Sequence, residues 1–175
     1  MADIGIFFGT DTGKTRKVAK QIHQLLGDKA DAPRDISRAS LDDLLAYKVL
    51  ILGTPTLGDG QLPGLEAECQ DASWAEFADQ LASADLSSKT VALFGLGDQE
   101  GYPDNFVNAL GELYDIVCDA GAKVIGQWPN SGYQFNESTA LDGDHFVGLV
   151  LDQDNQQDLT ADRIQTWVSS ISSQL

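Results

Sequence analysis

Residues 9–15, GTDTGKT, set two glycines, three threonines, an aspartate and a lysine directly behind the apolar run IGIFF. Hydroxyl donors, backbone N–H groups left bare by glycine and a nearby cation suit the binding of a phosphate. The triphosphate loop of nucleotide hydrolases requires four residues between its first glycine and its Gly-Lys pair. Here only Thr10, Asp11 and Thr12 separate Gly9 from Gly13, which excludes that loop.

Two further stretches carry the same residue types: GTPTLGDGQLPG at 53–64 and GLGDQEGYPDN at 95–105. The second contains a Gly-x-Gly, but a dinucleotide fingerprint needs another glycine three positions after Gly97, and Glu100 stands there. It also follows the fourth apolar run instead of the first, so a nicotinamide dinucleotide site is disfavoured. No nucleophile and base pair is apparent, because His23 falls in a helical pattern and His145 in a turn-rich segment. Cys69 and Cys118 lack CxxC spacing and a nearby histidine pair, which argues against a zinc site or a disulfide framework.

The elements that would position these loops are legible as an alternation. Asp3 to Phe8, Lys48 to Gly53 and Lys89 to Gly95 are short β-rich apolar runs, the pattern of strands buried on both faces of a parallel sheet. A weaker strand is expected around Asp31 to Ile36. The fifth is expected in two pieces, Lys123 to Gln127 and a resumption at Phe146, with WPNSGYQFNESTALDGDH between them. Helical spacing joins Val18, Ile22, Leu25 and Leu26, which stop at Gly27. It also joins Phe106, Leu110, Leu113 and Val117 after Asp104 as N-cap, and Ile164, Trp167, Val168 and Ile171 after Thr160. Cys69 to Ser83 is a fourth helical segment. Trp74, Trp128 and Trp167 read as packing residues. The sum is a doubly wound α/β domain over residues 1–175, in which ligands sit at the carboxyl ends of the strands.

Charge is the most unusual bulk property: 27 acids against 11 bases give a net charge of −16. Eight of the bases lie in the first 48 residues, leaving 20 acids against 3 bases in residues 49–175. Binding nucleic acid or an anionic membrane depends on Lys and Arg neutralising phosphates, so both are unlikely classes of partner. A basic protein partner is compatible, as is acidity that serves only solubility. No basic leader followed by an apolar core opens the chain and no segment is apolar enough to span a bilayer, so a reducing cytoplasmic setting is expected.

Taken together, TDTGKT before a helix, TPTLGDGQLPG, GLGDQEGYPDN and the ending FVGLVLDQDNQ resemble a long-chain flavodoxin, with the LILGTPTLG wording of the members associated with nitrogen fixation. The resemblance implies a five-stranded parallel sheet of order 2-1-3-4-5, with an insertion splitting the last strand. It implies noncovalent FMN and a low-potential one-electron carrier that shuttles between semiquinone and hydroquinone, not an enzyme. By the same resemblance the loop Thr10, Asp11, Thr12, Gly13, Lys14 and Thr15 is cofactor-binding, its phosphate held by the Thr10, Thr12 and Thr15 hydroxyls and the backbone at Gly13, with Lys14 read as a solvated first-turn residue. Thr54, Pro55, Thr56 and Asp154 approach the ribityl chain. Gly95 and Leu96 are cofactor-binding, Gly97 and Asp98 lie near the pyrimidine edge, and Tyr102 stacks on one flavin face. Leu57 stands where many members carry Trp, so the other face is expected to be less covered.

Leu57, Gly58, Asp59 and Gly60 read as a turn beside flavin N5. The resemblance implies a reduction-linked peptide flip here, which would take the turn from type II, with positive φ at Asp59, to type II′ with positive φ at Gly58. Implied partners are ferredoxin/flavodoxin-NADP reductase and the nitrogenase iron protein or photosystem I. Cys69, in the polar context LEAECQDAS, is expected to be the reactive thiol and to form a disulfide dimer, with Cys118 shielded. The readings set beside the carrier are an FMN-dependent NAD(P)H-quinone reductase and a phosphate-sensing module like the response regulators. The latter lacks its acidic pair, since Gly9 and Thr10 occupy those positions.

Overall fold

A computed structural model describes residues 1–175. The apolar runs become β1 (Ile4–Phe8), β3 (Val49–Pro55) and β4 (Thr90–Leu96), paired in parallel as β1 with β3 and β3 with β4. The weak second strand is only β2 (Arg34–Asp35), pairing beyond β1 at Phe7 and Phe8. The fifth position is split as expected: β5 (Lys123–Ile125) pairs with Thr90 to Ala92, and β9 (Leu149–Leu151) with Phe94 to Leu96. The second piece begins at Leu149, later than the expected Phe146. Between the halves, β6 (Trp128–Pro129), β7 (Leu141–Asp142) and β8 (His145–Phe146) form a small antiparallel sheet. The main sheet has the order β2-β1-β3-β4-β5, the flavodoxin-like order expected from the sequence.

Strand alternation sends side chains to two separate cores. Ile4, Ile6, Phe8 and Ile51 join Val18, Ile22, Ile164 and Trp167 from α1 (Lys14–Leu26) and α5 (Thr160–Ile171) on one face. Phe7, Leu50 and Leu52 join Leu44 of α2 (Leu41–Leu45), Phe77 of α3 (Trp74–Ala82) and Leu110 of α4 (Asn108–Asp119) on the other. Trp74 and Trp167 are packing residues, and each indole N–H is satisfied by a backbone carbonyl, of Gly53 and Gly126 respectively, at 2.8 Å. Trp128 is half-buried and donates to the Tyr133 hydroxyl at 2.9 Å.

Helix boundaries depart from the expectations where tertiary contacts intervene. Asp104 does not cap α4: its carboxylate accepts from the Asn136 amide at 2.7 Å, and the cap is Val107 at φ +49°. Thr160 is the first residue of α5 and its hydroxyl donates to the Gln153 side chain. The third helix begins at Trp74, where the Ser73 N–H donates to the Glu76 carboxylate at 2.7 Å, so Cys69 lies outside it. Leu25 sits off the buried stripe of α1, which runs Val18, Ala19, Ile22, Leu26, and is 49 % exposed. The short α2, not expected from the pattern, is held by reciprocal bonds between Ser40 and Asp43.

Candidate functional site

The three Gly/Thr/Asp loops leave the carboxyl ends of β1, β3 and β4 and meet in one open cleft, joined by the segment after β9. From the first loop, Thr10, Asp11, Thr12, Lys14 and Thr15 line it; Pro55, Thr56 and Leu57 come from the second and Leu96, Gly97, Asp98 and Tyr102 from the third. Asp154 and Gln153 complete it.

Helix α1 points its N-terminus at this cleft. Its cap is Gly13, in the left-handed region at φ +91° with open space where a Cβ would be, and no side chain bonds the first-turn N–H groups. Those groups and the positive end of the helix dipole make an anion site. The Thr10 hydroxyl closes the loop by accepting from the Gly13 N–H at 3.0 Å, while Thr15 is buried at its base and Thr12 is exposed. Asp11, Asp98 and Asp154 line the same cleft and would repel an anion. Neutral donors and one lysine must therefore provide the attraction.

Lys14 does more than face solvent. Its ammonium donates to the Asp154 carboxylate at 2.7 Å, tying the first loop to the last, and both side chains are about half exposed. Tyr102 stands on the rim, 48 % exposed. Its loop is folded back by Asp98, whose carboxylate accepts from the N–H groups of Gly101 at 2.8 Å and Glu100 at 3.1 Å and from the Asn155 amide at 2.7 Å. The Gly101 bond above all holds the Asp98 carboxyl below the usual carboxylate range, against the opposing effect of partial burial.

Five expected residues do not reach the cleft surface. The Thr54 hydroxyl is buried and donates to the Pro55 carbonyl at 2.8 Å, and Gly95 packs under Leu110 of α4, where a Cβ would come within 2.8 Å. Gly13 shapes the backbone without lining the space. Gly58 and Asp59 form the exposed turn beyond Leu57. That turn is closed by the Gly60 N–H donating to Leu57 at 3.1 Å, with φ +48° at Gly58 and no positive φ at Asp59. The turn already has the φ signs of type II′, the form anticipated only after a flip.

Cys69 is buried and Cys118 is partly exposed, the reverse of the expectation, and neither is in a disulfide. Burial pushes the Cys69 thiol up, and the Asp11 and Glu76 carboxylates push it further against the lowering bond from the Gly64 backbone. The burial of Cys69 and its raised pKa argue against it as the more reactive thiol and against a dimer through it.

Asp152 was not anticipated and organises the site. Fully buried at the end of β9, it accepts at Oδ2 from the Gln99 N–H, the Gln99 amide and the Asn155 amide at 3.0, 2.7 and 2.8 Å. At Oδ1 it accepts from the N–H groups of Asp154 and Asn155 at 3.1 and 3.0 Å. Gln99 in turn accepts from the Gln134 N–H of the insertion at 2.7 Å. The signal in the sequence is an Asp closing a buried strand, followed by QDN, the composition of a turn in which a carboxylate caps backbone N–H groups.

A family model described as Flavodoxin matches residues 6–167. The chain belongs to the flavodoxin family. A flavodoxin of Klebsiella pneumoniae is 64 % identical over 171 residues, covering 98 % of this chain and 97 % of its own length. Flavodoxin 1 of Escherichia coli (strain K12) is 47 % identical over 176 residues, covering 100 % and 96 %. Among solved structures, Fusobacterium nucleatum flavodoxin bound to flavin mononucleotide superposes with a TM-score of 0.89 at 31 % identity, covering 100 % of this chain and 99 % of that one. Flavodoxins are electron-transfer proteins and not enzymes, and electron carriage is the function that membership gives this chain.

Proposed function

We propose that the 175 residues act as one domain holding FMN noncovalently in this cleft and pass single electrons between a reductase and an acceptor protein. The observation that carries the reading is the uncapped N-terminus of α1, wrapped by Thr10, Thr12 and Thr15 and opening onto a cleft with an exposed tyrosine at its rim. The residues fit the group. A dianionic phosphate suits the free N–H groups, hydroxyls and Lys14. Pro55, Thr56, Gln153 and Asp154 flank the space for the ribityl chain, Tyr102 offers a flat ring face to the flavin and Leu57 an aliphatic contact. Gly97 and Asp98 adjoin the polar edge of the flavin.

The bound flavin supplies reversible one-electron chemistry, and the chain supplies binding, exclusion of water from one ring face and a field. Neither histidine lines the cleft: His23 bonds to the Ala30 carbonyl and His145 to Asp144. Asp59, Glu66, Glu68, Asp71, Glu100 and Asp104 are all exposed on or near the cleft loops. This field steers a basic partner and opposes each added electron, every kcal/mol of repulsion lowering a one-electron potential by roughly 40 mV. Ferredoxin/flavodoxin-NADP reductase fits as donor, and the nitrogenase iron protein or photosystem I as acceptor, in the cytoplasm. No helix is long and apolar enough to cross a membrane.

The test is titration of flavin-free protein with FMN, followed by NADPH oxidation with and without a reductase. The reading requires saturable FMN uptake, NADPH consumption only when reductase is present, and an association rate with the reductase that falls steeply as salt rises. Absence of FMN affinity, or rapid NADPH turnover by the chain alone, would overturn it.

A further inference from the structure

A second pocket shares no lining residue with the flavin cleft and has the opposite electrostatic character. It lies beside β2 and encloses about 240 Å³. Arg16 and Lys20, one turn apart on α1, face Arg34 of β2 and Arg38 just beyond it, so four of the eleven cations of a chain with net charge −16 share one concavity. The arrangement is partly braced. Arg16 donates to Asp35 at 3.3 Å and packs over the buried Phe8 ring at 5.3 Å, and Arg34 donates to Asp43 at 3.1 Å and to the Arg38 carbonyl at 3.0 Å. Lys20 and Arg38 have no carboxylate within ion-pair distance. Even with Asp35 and Asp43 counted, the four cations leave a surplus of two positive charges.

We propose that this pocket binds a small oligophosphate, a pyrophosphate or longer phosphate chain either free or carried by a nucleotide. Braced guanidinium groups that keep N–H donors free are suited to bidentate recognition of phosphate oxygens, and an exposed lysine adds a point charge. The rest of the molecule decides between classes of anion. A nucleic acid or acidic polymer long enough to leave the pocket would meet the remainder of a chain whose net charge is −16. A compact anion meets only the local field, because charges beyond a Debye length of about 8 Å are screened at physiological salt. Arg16 directly follows Thr15, so an occupied pocket would sit against the same helix that presents its N-terminus to the flavin cleft.

Calorimetric titration of the FMN-loaded protein with sodium tripolyphosphate, pyrophosphate and ADP at constant ionic strength tests the assignment, with amide chemical-shift mapping to locate the ligand. One saturable site is expected, with shifts at Arg16, Lys20, Arg34 and Arg38. The Lys20→Gln/Arg38→Gln variant should bind about tenfold or more weakly. Lys48→Gln/Lys123→Gln, which removes the same charge at exposed positions outside the pocket, should change binding less than about twofold. Tighter ADP than pyrophosphate identifies a nucleotide source, and equal or weaker ADP identifies the phosphate chain itself. Non-saturable binding, equal loss in the two double variants, or shifts centred on residues 10–15 would overturn the proposal, the last leaving the flavin reading untouched.

Discussion

Replacing Asp152 by Asn tests whether one buried carboxylate holds the flavin loops together. The change preserves shape, but an amide offers one acceptor oxygen where the carboxylate offers two. If the amide nitrogen takes the Oδ2 position it meets three donors, the Gln99 N–H and the Gln99 and Asn155 amides; if it takes Oδ1 it meets the two N–H groups of Asp154 and Asn155. The milder orientation still breaks two bonds and leaves the part-buried N–H groups of Asp154 and Asn155 facing an amide NH2 at a residue that is itself fully buried. Hydrogen bonds to a charged acceptor contribute about 1.5–3 kcal/mol each, and neighbouring groups relax to recover part of the loss, so a destabilisation of about 3 kcal/mol is expected. For a chain of this size that is a fall in Tm of roughly 6–12 °C. The loops carrying Asp98, Gln153 and Asp154 should loosen, weakening FMN by about tenfold or more. Urea unfolding of the flavin-free protein and fluorescence titration with FMN provide the readouts. A loss under about 1 kcal/mol with unchanged FMN affinity would refute the argument that Asp152 organises the cleft.

Gly58→Ala should destabilise the flavin-free protein by about 1 kcal/mol in urea unfolding, because the turn as it stands places that residue at positive φ; unchanged stability would mean that the turn adopts another form in solution. With an aromatic disulfide reagent, the first thiol to react should be Cys118, so Cys118→Ala should abolish the fast phase and Cys69→Ala should retain it; the opposite pattern would contradict the burial of Cys69. Burial pushes the Tyr133 phenol up to about 12, while its hydroxyl donates to the Val150 carbonyl at 2.6 Å. The folded state thus holds this proton more tightly than the unfolded chain, whose tyrosine titrates near 10. Its stabilising contribution is complete below about pH 10 and is lost as pH rises to about 12. Denaturant unfolding across that range should show a shallower decline in Tyr133→Phe.

The sequence by itself determined the main sheet, four of its five α-helices and the three loops at its carboxyl edge. Strands buried on both faces read as uninterrupted apolar runs, as in VLILG and TVALFG, and the helices that cover them carry one apolar stripe each. The glycine cap and hydroxyl-rich first turn of GTDTGKT, on which the proposed phosphate site rests, were also legible locally. What lay beyond local reading was every feature made by residues distant in the chain. The Lys14 to Asp154 bond spans 140 positions, and Asp104 was drawn from capping α4 by Asn136 of the insertion. Thr54 turned from the cleft because its hydroxyl found the Pro55 carbonyl, and Cys69, polar in its sequence context, was covered when its segment folded against the first loop. Asp152 took its place at the centre of the site only because β9 delivers it beneath the loop after β4, where five N–H donors converge. Periodicity records which face of an element is buried, but a polar side chain spends its hydrogen bonds on whichever partners the packed elements bring within about 3 Å, and that pairing exists only in the folded molecule.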